Sequence, residues 1–329
     1  MPRPSLAGVA RRLASPYLTA LFFPLIAVCA LSAANGWFTP TAMMIVPFGL
    51  LTLNLGAAIV VHARFRADTW LLVFHLALLC LVVLFVVARL TYFEGQGVVT
   101  RGTWFDGRME RVAAGPLHGD GYQRLRFANA GFVERSAVGP YSGSLINQVE
   151  WLDPALGGVP RTRQIADDRP LILDGYRIYP ANLSGFSPMM IWLPDSGTEE
   201  RGTVQLPPPG MGDFNRGASW VLASGTEVWA MVNSKVGPPQ QDRANLDAEK
   251  IPHTLVVRIG DARLELKPGE SGRLPGGVLT YVGLDSWLGY HIIHDPTRPW
   301  LVATVLVAIC SLIAYYLKRL RPFGTTVSS

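Results

Sequence analysis

One histidine lies inside a long apolar stretch of the chain. His75 follows Trp70 by five residues, within the apolar run Trp70–Leu90. An ionisable side chain is expensive in a membrane-spanning helix and therefore indicates a function. A neutral imidazole is a standard axial ligand of haem iron, so iron ligation is one interpretation of His75. The alternative is a histidine that hydrogen-bonds to a neighbouring helix and binds no ligand.

Two other polar residues lie at the ends of apolar runs. His62 follows the run Ala42–Val61 and is close to Arg64. It is either an interfacial polar residue or a residue near the point where a ligand enters. Arg89 lies near the end of the run that contains His75. Its guanidinium either reaches the membrane interface or pairs with a ligand carboxylate through two hydrogen bonds.

The remaining histidines do not predict a metal site. His291 and His294 are three residues apart. If this segment is a strand, the two side chains point to opposite faces of the sheet and cannot share a metal ion. His118 and His253 have no candidate partner in the sequence. We therefore expect these four histidines to be structural or exposed.

Four apolar runs supply the elements that would position His75. They are Tyr17–Ala34, Ala42–Val61, Trp70–Leu90 and Trp300–Leu317. A bilayer core of about 30 Å takes ~20 apolar residues as a helix, and each run meets that requirement. The sequence thus predicts three transmembrane helices and a cytoplasmic N-terminus in residues 1–93. A large water-facing domain follows in 94–297, and a final helix and tail occupy 298–329.

The charge distribution separates the membrane flanks from the central domain. Residues 94–297 carry 19 Lys/Arg and 23 Asp/Glu, whereas the rest of the chain carries 10 Lys/Arg and one acid. The basic excess therefore belongs to the flanks and is not a nucleic-acid footprint. The flanking basic residues precede the first run, join the second and third, or follow the fourth: Arg3, Arg11, Arg12, Arg64, Arg66, Lys318, Arg319 and Arg321.

These flanks predict the orientation of the chain. The loop 35–41 between the first two runs has no Lys or Arg. By the positive-inside rule, both termini are cytoplasmic and residues 94–297 are exported, into the periplasm if the cell is Gram-negative. The first run is longer than a usual signal-peptide core, so we expect a retained helix.

Cysteine usage limits the chemistry of the exported domain. The three cysteines, Cys29, Cys80 and Cys310, all lie in apolar runs. The domain therefore has no disulfide, no thioredoxin-like CxxC pair and no CxxCH haem-attachment site.

The exported domain has the pattern of an antiparallel β fold. His253–Ile259 alternates in polarity, meets the turn dipeptide Gly260-Asp261 and is followed by a second alternating segment, a hairpin pattern. Further short strands are predicted at Tyr122–Asn129, Gly175–Leu183, Met189–Leu193, Ser219–Ala223, Glu227–Val232 and Val278–Gly283. Frequent Gly/Pro turns between short strands favour a sandwich or barrel-like sheet. The large aromatic residues, Trp104, Trp151, Tyr176, Trp192, Trp220 and Trp287, are expected to form its core or an apolar groove.

This topology, together with three segments, resembles the ResB family, also called CcsB, of the System II cytochrome c maturation pathway. The segments are Phe74-His75-Leu76, the strand 173–179 with the letters LDGYRIY, and 287–296 with WLGYHIIHDP before the final helix. The chain departs from the family pattern in its short central domain. It also has Thr297 where a glycine usually follows Asp-Pro, and Pro180 in place of a polar residue.

The resemblance implies a subunit of a cytochrome c synthase in the bacterial inner membrane. Its partner would be a CcsA-type polytopic subunit with a Trp-rich haem-handling loop, and the pair would deliver haem to apocytochrome c. In the family, a histidine at the position of His75 is an axial ligand of a transient haem b that is shared with the partner. His62 and Arg89 are weaker haem contacts, Arg89 to a propionate, and no metal besides haem iron is implied.

The resemblance assigns no catalytic residue to this chain, which would be an accessory subunit contacting membrane lipid and no nucleic acid. An alternative function stays open, namely a structural or sensory membrane protein whose exported β domain docks a partner without a cofactor.

Overall fold

The computed structural model describes residues 6–37, 40–135, 144–153, 158–207, 217–222, 225–234 and 252–320. The chain divides into two compact units. The first comprises Met1–Phe93, Ala114–His118 and His294–Ser329, and the second comprises Glu94–Ala113 and Gly119–Ile293. The first unit contains the α-helices, and the second contains nearly all of the strand residues.

The helical unit contains every predicted apolar helix. Its helices are α1 (Leu6–Leu13), α2 (Pro16–Ala34), α3 (Pro40–Val61), α4 (Ala63–Arg66), α5 (Thr69–Thr91) and α6 (Arg298–Leu320). Among the described residues, α2, α3, α5 and α6 are long and apolar enough to cross a membrane. The four apolar runs thus predicted the four long helices, with ends that differ by only a few residues. Helix α5 packs against both α3 and α6, and α2 packs against α3.

A buried amide joins three helices of this unit. Asn54 of α3 is 2% exposed. Its Nδ2 donates to the carbonyl oxygens of Leu13 and Ser15, and its Oδ1 accepts a 2.6 Å hydrogen bond from the Thr19 hydroxyl. A polar group in an apolar helix must find a partner within the protein, because lipid offers none. Asn54 therefore satisfies the carbonyls where α1 ends and α2 begins.

The second unit is built from antiparallel strands. In chain order they are β1 (Phe93–Thr100), β2 (Arg111–Ala114), β3 (Phe127–Arg135), β4 (Ser144–Asp153), β5 (Val159–Ile165), β6 (Leu171–Leu173), β7 (Tyr176–Pro194), β8 (Glu200–Thr203), β9 (Ala218–Val221), β10 (Glu227–Ser234), β11 (His253–Ile259), β12 (Ala262–Leu266), β13 (Ser271–Leu274) and β14 (Gly277–His294). The first sheet has the order β2-β1-β14-β7-β6, with β13 beside β14 and β8 beside β7. The second has the order β12-β11-β10-β9, and the third β3-β4-β5.

The predicted hairpin is confirmed, but several other strand predictions are wrong in extent. The strand predicted at Val278–Gly283 continues to His294 in β14. Strands β11 and β12 pair around Gly260-Asp261 with Ile259 opposite Ala262. The segment predicted as strand Tyr122–Asn129 begins instead as a 3-10 helix, Asp120–Arg124, and β3 starts only at Phe127. The segments predicted as separate strands at 175–183 and 189–193 form one continuous strand, β7.

A packing requirement explains why β7 does not end at its glycine. Gly185 pairs with Trp287 of β14, and a Cβ at Gly185 would come closer than 3.0 Å to the indole ring. Trp287 is 3% exposed, and its Nε1 donates a 2.9 Å hydrogen bond to the carbonyl oxygen of Leu206. The glycine therefore leaves room for the indole within a paired strand and is not a turn.

The main core lies between the first and second sheets. Most of its buried members come from β7, β10, β11 and β14 and include Met190, Trp192, Val228, Leu255 and Tyr281. Two sheets that bury their facing side chains form a sandwich. Tyr176, Trp192 and Trp287 are buried, whereas Trp104 is 43% exposed. Half of the predicted aromatic set is therefore buried, and Trp220 packs partly buried against the main core.

A closed polar network crosses this unit. The Tyr290 hydroxyl donates to Asn147 Oδ1, and Asn147 Nδ2 donates to Asn129 Oδ1, each over 2.9 Å. Asn129 Nδ2 in turn donates to the Val99 carbonyl oxygen. Burial raises the pKa of the Tyr290 hydroxyl well above its ordinary value, which keeps the hydroxyl a donor. The network connects β1 and β14 of the first sheet to β3 and β4 of the third sheet.

Candidate functional site

The N-terminal end of α5 is fixed by a capping carboxylate. Asp68 Oδ1 accepts hydrogen bonds from the backbone N–H groups of Trp70 and Leu71, at 2.9 and 3.4 Å. Its other oxygen, Oδ2, accepts a 2.7 Å hydrogen bond from Lys318 Nζ in α6. That hydrogen bond from Lys318, helped by the backbone donors, lowers the pKa of Asp68. A carboxylate at this position satisfies the otherwise unpaired amides of a helix start.

His75 lies two turns into α5, and a hydrogen bond fixes its tautomer. His75 Nδ1 lies 2.7 Å from the carbonyl oxygen of Leu71, one turn earlier in the helix. Because a carbonyl oxygen only accepts, Nδ1 carries the proton and Nε2 carries the lone pair. The same backbone hydrogen bond orients metal-ligating histidines in proteins. In this tautomer, Nε2 is the His75 nitrogen that can bind a metal.

Aromatic rings surround the half-buried His75 imidazole. Phe65 of α4 lies with its ring centroid 4.2 Å from the His75 centroid, and Phe74 meets the imidazole edge-on at 5.4 Å. The two phenylalanine rings cover part of the imidazole and leave an apolar surface beside it.

His62 lies near the same phenylalanine but has the opposite tautomer. Its Nε2 lies 3.3 Å from the carbonyl oxygen of Ala14, so Nε2 carries the proton. Its ring contacts Phe65 edge-on, with the centroids 6.0 Å apart. The structure therefore brings His62 and His75 into contact with the same aromatic ring, that of Phe65. We refer to His62, Phe65 and His75 as the inner histidine cluster.

Arg89 is not part of this cluster. It lies fourteen residues beyond His75 in α5, which corresponds to about 21 Å along the helix axis. Its guanidinium lies over the Tyr92 ring, 5.6 Å from the ring centroid. A carboxylate contact at Arg89 would therefore belong to a position separate from iron ligation at His75.

The inner histidine cluster offers imidazole nitrogens as its metal ligands. Within the described ranges, no group of three or more His, Cys, Asp or Glu side chains is placed to hold a metal ion. Iron in a porphyrin can take a single imidazole nitrogen from one protein chain as a ligand. The His75 imidazole is therefore compatible with haem iron.

A second pair of histidines lies at the C-terminal end of α5. His118 and His294 lie with their ring centroids 5.2 Å apart and their planes at 62°. His118 also stacks on the buried Phe93 ring at 4.8 Å. The sequence did not predict this pair, because 175 residues separate the two histidines and no spacing pattern connects them. We refer to His118 and His294 as the outer histidine pair.

The two remaining histidines have partners elsewhere. His291 Nε2 lies 2.9 Å from Glu94 Oε1. His253 Nε2 lies 2.6 Å from the Tyr281 hydroxyl oxygen. His291 and His294 both lie in β14 and have different partners, as expected from their three-residue spacing in a strand.

Among the described residues, the protein has four helices long and apolar enough to span a membrane, an antiparallel β unit and, inside one of the apolar helices, a histidine whose Nδ1 is hydrogen-bonded to the backbone. No protein-family model matches the chain, and no curated protein matches it either.

Proposed function

We propose that this protein is a haem-handling membrane subunit of the ResB/CcsB kind, which holds haem transiently for a cytochrome c maturation complex. One observation carries the proposal, namely the His75 imidazole with its Nδ1–H bound to Leu71 and its Nε2 left as a ligand. An imidazole in an apolar helix is costly, and iron ligation offsets that cost.

Haem bound at this site would supply an iron atom that takes an imidazole nitrogen as a ligand. His75 would provide that nitrogen from this chain, and a polytopic CcsA-type partner would complete the haem site. Phe65 and Phe74 would shield the imidazole from water. His62 donates to the Ala14 carbonyl and so would help to hold α1 and the start of α2 beside the site.

The flanking charges support an orientation for this function. The basic residues Arg64, Arg66 and Lys318 lie at the end of the helices near His75. The positive-inside rule places this end in the cytoplasm and the β unit in the periplasm of a bacterial inner membrane. His75 would then meet haem that comes from the cytoplasm, while the β unit would face apocytochrome c. In this arrangement the chain is an accessory subunit, and the partner performs the attachment chemistry.

The test is the haem content of the full chain co-purified with its polytopic partner. The pyridine haemochrome assay should show haem in the wild-type complex and a loss of most of it in His75→Ala. His62→Ala is the matched control, since it removes the other imidazole of the same cluster, and it should keep most of the haem.

Equal haem content in the wild-type and His75→Ala complexes would refute the ligand assignment. A wild-type complex that contains no haem, but still binds apocytochrome c, would favour the alternative of a docking protein without a cofactor.

A further inference from the structure

The backbone around His118 is fixed by the C-terminal end of α5. Gly115 N donates to the Tyr92 carbonyl oxygen over 2.9 Å, and Leu117 N donates to the Leu90 carbonyl oxygen over 2.8 Å. These bonds satisfy carbonyls that a helix end would otherwise leave unpaired. A Cβ at Gly115 would come closer than 3.0 Å to the carbonyl oxygens of Leu90 and Arg89. The approach is therefore possible only with glycine, and it sets the position of His118.

The His118 ring is oriented by two further contacts. Its Nδ1 lies 3.1 Å from the Thr91 carbonyl oxygen, so Nδ1 carries the proton and Nε2 the lone pair. Its face stacks on Phe93, which is fully buried, with the planes at 25°. This is the same backbone hydrogen bond that orients metal-ligating histidines.

His294 is held by the turn that follows it. It is the last residue of β14, and the next residue, Asp295, begins the connection to α6. Asp295 Oδ1 accepts hydrogen bonds from both the backbone N–H and the hydroxyl of Thr297, at 3.0 and 2.7 Å. Thr297 is itself 3% exposed, and its carbonyl accepts from Leu301 in the first turn of α6. Hydrogen bonds thus fix the backbone next to both histidines of the outer histidine pair.

The separation of the two rings matches one mode of metal ligation. A zinc–nitrogen bond is about 2.0–2.1 Å long, and the imidazole centroid lies about 1.1 Å beyond the nitrogen. Two imidazoles that bind one metal at the tetrahedral angle therefore have centroids about 5.2 Å apart. Two imidazoles on opposite sides of one metal would have centroids about 6.3 Å apart on the same distances. The observed 5.2 Å fits the bent arrangement and is too short for a haem between the rings.

We propose that His118 and His294 bind one divalent transition-metal ion of the zinc class, with water or an external ligand completing the coordination. Imidazole suits zinc, copper and nickel ions, and two protein ligands leave open positions. The site differs from the sequence expectation of no metal besides haem iron. It does not depend on the proposed haem function, because it uses neither His75 nor His62.

Zinc titration of the metal-stripped full chain tests the site. The protein is purified in detergent with an affinity tag that contains no histidine, and Zn²⁺ binding is measured by isothermal titration calorimetry. One ion should bind per chain. His118→Ala and His294→Ala should each weaken binding at least tenfold, and the double variant should lose little more than either single variant, since both rings hold one ion.

Two variants serve as controls. His291→Ala removes the histidine three residues before His294, and His253→Ala removes another ordered histidine of the β unit; both should bind zinc like the wild type. Undiminished binding by His118→Ala, or an equal loss in His291→Ala, would overturn the proposal.

A second measurement on the wild-type protein does not depend on how the variants fold. The electron paramagnetic resonance spectrum of one equivalent of Cu²⁺ should show coupling to two imidazole nitrogens. A spectrum without nitrogen coupling, or the spectrum of free Cu²⁺, would contradict a two-histidine site.

Discussion

The two ends of α5 orient a histidine in the same way by different means. At the N-terminal end, His75 lies in the helix and donates Nδ1–H to Leu71 of its own preceding turn. At the C-terminal end, His118 comes from a distant segment and donates Nδ1–H to the Thr91 carbonyl of the last turn. One histidine is therefore positioned by helix geometry alone, whereas the other depends on a glycine that lets its segment approach the helix end.

This difference determines which substitutions should damage each histidine site. The inner histidine cluster should tolerate changes at the C-terminal end of α5, since its hydrogen bond is local. The outer histidine pair should lose its metal binding when the 114–118 segment shifts, because the backbone hydrogen bonds to Leu90 and Tyr92 set the position of His118.

Gly115→Ala should have the largest effect, and it should damage the outer histidine pair while leaving the inner histidine cluster intact. The added Cβ would overlap the carbonyl oxygens of Leu90 and Arg89, and overpacking of this kind costs about 1–3 kcal/mol. We expect a lower thermal unfolding temperature and at least tenfold weaker zinc binding, while the haem content stays close to that of the wild type.

Gly119→Ala is the matched control, because nothing lies within 4 Å of a Cβ built at Gly119 and its φ is −85°. If Gly115→Ala and Gly119→Ala bind zinc equally well, the 114–118 segment does not position His118 as described.

Asn54→Leu should have the next largest effect, and it should weaken the packing of α3 against α1 and α2. The substitution keeps the approximate volume but removes the amide that bonds to the carbonyls of Leu13 and Ser15. Hydrogen bonds between membrane helices contribute about 0.6–1.7 kcal/mol, so we expect a loss of about 1–2 kcal/mol in unfolding free energy.

Thr52→Val provides the comparison for Asn54→Leu. The Thr52 hydroxyl donates only to the Phe48 carbonyl of its own helix, so its removal should change stability little. Detergent unfolding curves measure both variants, and equal losses would show that Asn54 does not join the helices.

Asp68→Asn should have the smallest effect, and it depends on pH. The folded-state pKa of Asp68 is below the ordinary value of 3.8, because Lys318 and two backbone amides stabilise the carboxylate. Its contribution to stability is therefore fully present above pH 3.8 and is lost as the pH falls through the lower folded pKa. Unfolding temperatures of the wild type and Asp68→Asn should differ by a constant amount at neutral pH and converge in strong acid.

Lys318→Met removes the largest cause of the lowered pKa of Asp68. The double variant Asp68→Asn/Lys318→Met should lose little more stability than either single variant. Fully additive effects would mean that the 2.7 Å contact between Lys318 and Asp68 does not stabilise the fold.

The sequence predicted those features that depend on local pattern. The apolar runs predicted α2, α3, α5 and α6 because length and composition are enough for a membrane helix. The polarity alternation around Gly260-Asp261 predicted the β11–β12 hairpin. His75 was identified as a candidate because an imidazole is conspicuous in an apolar helix.

The features that the sequence did not predict depend on contacts between distant residues. The sequence predicted two separate strands at 175–183 and 189–193, whereas β7 is continuous because Gly185 makes room for Trp287, about a hundred residues later in the chain. His118 and His294 meet because the 114–118 segment bonds to the end of α5. A single sequence contains no periodic signal for such pairs.

The central claim, iron ligation by His75 Nε2, is tested most directly by restoring the ligand from solution. The His75→Gly variant is co-purified with the polytopic partner, and its haem absorption spectrum is recorded with and without added imidazole. We expect a lost or shifted Soret band that returns to the wild-type position when imidazole is added. A Soret band of His75→Gly that equals the wild-type band before imidazole is added would contradict it.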